Sequence, residues 1–179
     1  MKKLLVVVDM QNDFISGSLG TTQAQEIVPN VVKKIESWSG DVVATLDSHN
    51  YNYLDTREGR MLPVQHCIMS TDGHCIEASV FNALQRKNNG SVMFINKPTF
   101  GSTRLQQAAA TERYDYIELV GLCTDICVVS NALLIKAALP EADIVVDANC
   151  CAGTTPEAHD AALRTMASCQ IVITNGSNN

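Results

Sequence analysis

No run of lysines or arginines interrupts the 179 residues, and 13 basic against 19 acidic side chains give a formal net charge of -6. That balance excludes a general affinity for nucleic acid or anionic membrane and favours a small soluble partner. No stretch approaches the roughly 18 apolar residues of a membrane span. The opening "MKKLLVVVDMQNDF" has two lysines before an apolar run, but that run ends in a carboxylate and no small-residue cleavage site follows. It reads as a first β-strand, not a signal peptide, and a cytoplasmic setting is expected. There is no C-x-x-C pair, and the seven cysteines are an odd number. In a reducing compartment thiols are buried or reactive, not paired. Cys67, Cys75, Cys150, Cys151 and Cys169 read as small packing residues. Repeats and linkers are absent as well, so residues 1–174 are expected to form one domain and the polar tail 175–179, "NGSNN", to be disordered. Asn-Gly-Ser occurs at Asn89 and Asn175, and without secretion neither is a glycosylation site.

Short β-branched runs recur at Leu4 to Val8, Asp41 to Leu46, Val92 to Asn96, Tyr116 to Val120, Asp143 to Val146 and Gln170 to Thr174. Most are too apolar for a half-solvated strand and imply strands covered on both faces. Helical spacing fills the intervals. Ile27, Val31, Ile35 and Trp38 line one face, Leu105 and Ala108 mark another, and Ile126, Val129, Leu133, Ile135 and Ala138 fill a more buried helix. Thr154, three residues before Glu157, has capping-box spacing, with Pro156 in the first turn. The pattern predicts a three-layer αβα fold: a doubly wound, six-stranded, mainly parallel sheet of Rossmann-like type. One long insertion, about 48–90, carries a helix near Glu77 to Gln85 and much irregular chain, the kind of segment that is often functional.

In such sheets ligands bind beyond the carboxyl ends of the strands. Those ends carry Asp9, Asp47, Lys97 and the stretch "VGLCTDICVVSNALL". With Thr124 as a helix N-cap, Cys127 falls near N3, where the positive end of the helix lowers a thiol pKa and favours the thiolate. Cys123 precedes the cap and would offer its backbone amide. From these residues alone both cysteines could equally be packing residues at a crowded turn. Asp9 could be a general base or a loop cap, and Lys97 could stabilise thiolate and aspartate or simply face solvent.

Taken together, "VVVDMQNDF" at Val6 to Phe14, "NKPTFGST" at Asn96 to Thr103, "VGLCTDICV" at Val120 to Val128 and "DANCCAGTTPEAHDAALRTM" at Asp147 to Met166 resemble the nicotinamidase-like cysteine hydrolases of the isochorismatase superfamily. The resemblance implies an isochorismatase-type fold and a catalytic triad of Asp9, Lys97 and Cys127. It also implies a cis peptide between Leu122 and Cys123 and an oxyanion hole from the amides of Cys123 and Cys127. Phe14 matches an aromatic that stacks on the substrate ring. The activity implied is hydrolysis of a small carboxamide through a thioester, nicotinamide to nicotinate and ammonia, in NAD recycling. Relatives' habits lead us to expect a homo-oligomer.

A metal site accompanies the triad. Asp47 and His49, two apart, would share a side if the strand continues extended, and His66 follows in "LPVQHC" with Glu58 between. Two imidazoles with carboxylates suit zinc first, or manganese or iron. The resemblance assigns Asp47, His49 and His66 as ligands, with Glu58 added in some members; His74 and His159 are expected to be structural. Many nicotinamidases carry a tryptophan shortly before the metal histidine. Here that region reads "MLPVQHC", and the only tryptophan, Trp38, lies in the first long helix. That departure leaves room for a carbamoyl or ureido substrate on the same triad. A catalytically silent ligand-binding relative is the rival from another class.

Overall fold

The computed structural model describes residues 1–87 and 92–175. Residues 176–179 of the expected tail lie outside the described residues, as does Asn89 of the first Asn-Gly-Ser. Six strands form a single parallel sheet: β1 (Lys3–Val8), β2 (Asp41–Asp47), β3 (Met93–Lys97), β4 (Tyr116–Leu122), β5 (Asp143–Ala152) and β6 (Val172–Thr174). Their order is β3-β2-β1-β4-β5-β6. The chain therefore winds outward from β1 in one direction, then returns to β4 and winds in the other, as a doubly wound fold does. Every neighbouring pair is parallel, so the expectation of a mainly parallel sheet is met in full.

The alternation of side chains along a strand splits the core into two layers. Leu5 and Val7 of β1 with Val42 and Ala44 of β2 face α1 (Asn12–Ile15), α2 (Thr22–Ser37) and α4 (Ala78–Arg86). Leu4, Val6 and Val8 with Ile117 and Leu119 face α5 (Thr103–Glu112), α6 (Val129–Ala138) and α7 (Pro156–Ser168). Within α2 the buried positions Ile27, Val31 and Ile35 fall four apart. Trp38, expected on the same stripe, is the C-cap residue and donates its indole N–H to Asp41 O. In α6 the buried residues are Asn131, Ala132 and Ile135; of the positions the periodicity picked out, Ile135 is buried and Ile126, Val129 and Leu133 are partly buried against the core. Among the described residues no helix is long and apolar enough to cross a membrane.

Two caps differ from the sequence reading. Thr155, not Thr154, caps α7 by accepting from Ala158 N, with Pro156 at N1. Thr154 is spent elsewhere, bonded to Asp125. Thr124 likewise does not cap the helix after β4. The chain there makes a π turn over Thr124–Val128, with Cys123 at the N-cap position, before α6 begins. β5 is also longer than its β-branched run: after Val146 its register against β4 shifts, and it re-pairs at Gly121↔Cys151 and Leu122↔Ala152.

Between β2 and β3 the described residues of the insertion include the 3-10 turns Tyr53–Asp55 and Asp72–His74, α3 (Arg57–Met61) and α4. Glu77 caps α4 by accepting from Ser79 N and Val80 N, a device worth about 1 kcal/mol. Beyond β2 the chain stays extended as far as His49, which bridges to Ile68. That bridge brings the middle of the insertion, with His66 and Cys67, back to the strand tip.

Candidate active site

β1 and β4 are neighbours at the point where strand order reverses, with Val8 opposite Gly121. A side chain at Gly121 would meet Val8 O at 2.1 Å, and its φ is +117°, so glycine alone fits there. Asp9, the next residue on β1, has φ +48°, a left-handed conformation that aspartate tolerates better than most residues. The turn is fixed by Asp9 N–H donating to Thr45 O at 3.2 Å and Gln11 N–H donating to Asp9 O at 2.7 Å.

The carboxylate so placed meets the ends of the neighbouring strands. Asp9 Oδ1 accepts from the Thr45 hydroxyl at 2.6 Å. Asp9 Oδ2 lies 2.6 Å from Lys97 Nζ, and the same ammonium reaches Cys127 Sγ at 3.4 Å, Thr99 O at 3.2 Å and Asp47 Oδ1 at 3.6 Å. Asp9, Lys97 and Cys127 are 0%, 1% and 4% exposed, so water contributes little to their charges. Asp9 Oδ2 is ion-paired with the lysine, and the Cys127 thiol lies within hydrogen-bonding reach of the same carboxylate. A carboxylate in contact with a thiol can take its proton.

The charges follow from burial and neighbours. Burial raises the Asp9 carboxyl above its ordinary value, Lys97 opposes that shift and Asp47 adds to it. Burial alone would lower Lys97, but Asp9, Cys127 and Asp47 together lift it and hold it charged. Burial, then the Asp9 charge, push the Cys127 thiol well above its ordinary value. This corrects the sequence expectation of a resting thiolate: desolvation and the neighbouring carboxylate outweigh the helix start, so the proton stays on sulfur until a base takes it.

The Leu122–Cys123 peptide is cis. Cys123 O accepts from Ile126 N and Val128 N, each at 3.1 Å, closing the π turn that carries Cys127. Cys123 and Cys127 both line a cavity of about 300 Å³, and burial pushes the Cys123 thiol up to about 12.

The metal candidates converge on the same cavity. Asp47, His49 and His66 are buried, and their ligand atoms lie within 4.8 Å of one another. Asp47 Oδ2 is 2.9 Å from His49 Nε2 and 3.4 Å from His66 Nε2. His66 Nδ1 meets Val64 O at 2.8 Å, which makes Nδ1 the donor and leaves the Nε2 lone pair for a ligand. Burial alone would raise the Asp47 carboxyl, but its bonds to His49 and His66 and the Lys97 charge pull it well below the usual range. It stays anionic. Glu58 Oε1 stands 3.6 Å and 3.8 Å from the two Nε2 atoms, at the partly exposed rim. Two imidazoles and one carboxylate, with room for other ligands, suit a divalent ion of the zinc, manganese or iron kind. His74 and His159 stand apart from this group: His74 bonds Ser48 and His159 bonds Thr124.

Phe14 lines the cavity and packs at 5.5 Å between ring centroids against His66. Leu62 and Phe100 line it too, where the sequence offered no tryptophan before His66. Sequence reasoning passed over Phe100, although it sits inside the quoted "NKPTFGST". It also passed over Gln11, whose amide spans the site: Nε2 donates to Asp47 O and His74 O, and Oε1 accepts from Asp47 N. The signal for Gln11 was its place in "DMQNDF"; Thr45 lay unmarked within an apolar strand.

The isochorismatase domain model matches residues 3–177, and the chain belongs to that family. It is 28% identical over 143 residues to an uncharacterized isochorismatase family protein, PncA, of Bacillus subtilis, covering 74% of this chain and 78% of that one. The crystal structure of nicotinamidase/pyrazinamidase PncA from B. subtilis superposes with a TM-score of 0.85 at 26% identity, over 98% of this chain and 100% of the other. N-carbamoylsarcosine amidase from Thermoplasma acidophilum gives 0.76 at 26% identity, over 100% and 99%.

Proposed function

We propose that the protein is an amidohydrolase whose Cys127 attacks a small, neutral, aromatic carboxamide, nicotinamide being the best fit. It is a hydrolase of amide bonds, as its family and its amidase neighbours support. The observation that carries the narrower reading is the contact of Asp9, Lys97 and Cys127 beside a cavity that also presents Asp47 and His66. At about 300 Å³ the cavity is at the small end for ligand sites and suits a single ring. No lysine or arginine lines it among the described residues, so apart from a bound divalent ion a substrate carboxylate would find no cationic partner there. This weighs against a carboxylate-bearing ureido compound, although an amidase of that kind is among the neighbours.

Asp9 takes the proton from Cys127 as sulfur attacks the carboxamide carbon. The amides of Cys123 and Cys127 receive the oxyanion, and Lys97 balances Asp9 against the sulfur. Asp9 then returns the proton to the departing ammonia, leaving a thioester on Cys127. Water, deprotonated by Asp9, hydrolyses the thioester to the carboxylate and restores the thiol. A divalent ion held by Asp47, His49 and His66, with Glu58 at the rim, would supply a coordination position for the ring nitrogen and so orient the amide. Phe14 and Phe100 supply the flat apolar contacts for the ring.

Ammonia release from nicotinamide tests the reading. Cys127→Ala should abolish it, Cys123→Ala should retain a substantial part because its role is through the backbone, and chelation should lower it reversibly. Equal loss in both cysteine variants, or turnover confined to ureido compounds, would overturn the assignment.

A further inference from the structure

The turn that carries Cys127 is anchored to a second loop by contacts that the reaction does not use. Asp125, two residues before the nucleophile, gives both carboxylate oxygens to one residue: Oδ1 accepts from Thr154 N at 2.8 Å and Oδ2 from the Thr154 hydroxyl at 2.6 Å. Beside it the hydroxyl of Thr124, which is 0% exposed, meets His159 Nδ1 at 2.8 Å. A side chain at Gly153 would meet Asp125 Oδ1 at 2.9 Å and the His159 backbone N at 2.8 Å, so glycine lets the loop close onto the turn. Gly153 and Thr154 also line the substrate cavity.

We propose that Asp125 and Thr154 form a clasp, with Asp125 the positioning residue that sets Cys127 against Asp9, Lys97 and the bound amide. The proposal rests on Cys127 being the nucleophile. A π turn of five residues makes few bonds of its own, and starting a helix is costly, so its geometry depends on what holds it from outside. Hydrogen bonds to a carboxylate are short and strong enough to do so. The sheet explains why the partner is Thr154. After the register shift, β5 rejoins β4 at Leu122↔Ala152, which delivers Gly153 and Thr154 beside the residues following Leu122.

The test compares Asp125→Ala, Asp125→Asn and Thr154→Val in the full, metal-loaded chain. Two readouts are kcat for nicotinamide and the rate at which iodoacetamide labels Cys127. Asp125→Ala should lower kcat at least tenfold and slow labelling at least fivefold, since the thiol proton is lost to Asp9 only as sulfur attacks, which needs Asp9 against Sγ and Lys97 beside both to balance the charge. Asp125→Asn should recover most of both, because an amide can accept from Thr154 N–H and donate to its hydroxyl. Thr154→Val, which keeps the backbone donor, should fall between, and Asp125→Ala with Thr154→Val should be no worse than Asp125→Ala alone. Additive losses, an Asn variant as damaged as Ala, or unchanged labelling in Asp125→Ala would overturn the clasp. Should Asp125→Ala fail to fold, a Thr154→Val variant matching the wild type in both readouts would do the same. If the wild type releases no ammonia from nicotinamide, the substrate reading fails while the labelling rates still decide the clasp.

Discussion

Two buried clusters in this protein are built from the same parts. Lys97 lies between Asp9 and Asp47 with the Cys127 thiol at 3.4 Å. Lys34 lies between Glu118, at 2.5 Å, and Asp147, at 2.8 Å, and the Cys150 thiol reaches Asp147 at 3.5 Å. Each set holds one lysine, two acids and one cysteine, so composition cannot be what makes one of them an active site. Their places in the fold differ. Glu118 sits within β4 and Asp147 within β5 under α2, whereas Asp9, Asp47 and Lys97 stand at the carboxyl ends of three strands, at the point where strand order reverses. Their hydrogen bonding is of the same kind. Glu118 is bonded by Lys34 and the Tyr116 hydroxyl, and Asp147 by Lys34, Asn149 N–H and the Cys150 thiol. Asp9 is held by the Thr45 hydroxyl and Lys97, but the thiol beside it opens onto the cavity that Asp47 and His66 also line. A cluster at the strand ends can exchange protons with what binds in that cavity; one held between α2 and the sheet ties the fold together.

The comparison is broken most severely by removing one acid from each cluster. Asp9→Asn keeps the shape and removes the base, and should cost about 10³-fold in kcat, within the usual range for general acid–base catalysis. Asp147→Asn should leave kcat within about twofold, since its oxygens hold α2 to the sheet and touch no reacting atom. Steady-state ammonia release at matched folded fractions decides it. A comparable loss in both would mean that the second cluster couples to the site.

Lys34→Met comes next and acts on stability. It leaves two buried carboxylates without their counter-ion and should cost about 3 kcal/mol in urea unfolding. Its pH dependence has a definite sign. Burial would lower the Lys34 pKa, but Asp147 and Glu118 raise it above the ordinary lysine value. Its contribution is therefore fully present below the unfolded-state pKa of about 10.4 and declines as pH rises above that toward the folded value. The stability difference between wild type and Lys34→Met should be larger at pH 8 than at pH 11; a constant difference would remove the ion pair as the cause.

How much of this was legible beforehand differs between the clusters for a physical reason. Strand ends announce themselves, because a charged residue following an apolar run marks both the end of a strand and a place beyond the sheet; Asp9, Asp47 and Lys97 were readable on that ground. The sheet and its two helix layers were readable from fully apolar strands alternating with helical spacing. Glu118 lay inside an apolar run, and Asp147, directly after the run Asp143 to Val146, had the look of a strand end although β5 continues to Ala152; one-dimensional pattern cannot show that a lysine from α2 descends to meet them. The caps failed for a related reason. Thr124 and Thr154 have the right chemistry to cap helices, but tertiary partners, His159 and Asp125, claimed them first. The state of the Cys127 thiol was misjudged because helix position is local and visible, while burial beside Asp9 is neither.

The smallest effect concerns the two thiols. Burial and then the Asp147 charge push Cys150 up to about 12, and Cys127 is raised for the same two kinds of reason, so neither is a resting thiolate near neutral pH. Both thiols line a cavity, and what separates them is its lining and its place: Cys127 shares its pocket at the strand ends with Phe14, Phe100 and His66, while Cys150, beside Lys34 and Asn149, donates a hydrogen bond to Asp147, which Lys34 already holds. Iodoacetamide should therefore label Cys127 in the folded protein well before Cys150, which should react at an appreciable rate only in urea. Cys150→Ala, losing a small buried sulfur and one weak hydrogen bond, should cost about 1 kcal/mol and leave ammonia release within about twofold. Peptide mapping after timed alkylation measures the first, urea titration the second. Equal labelling of both thiols in the folded state would show that the lining and place of the cavity are not what distinguish the Asp9, Lys97 and Cys127 cluster from its counterpart under α2.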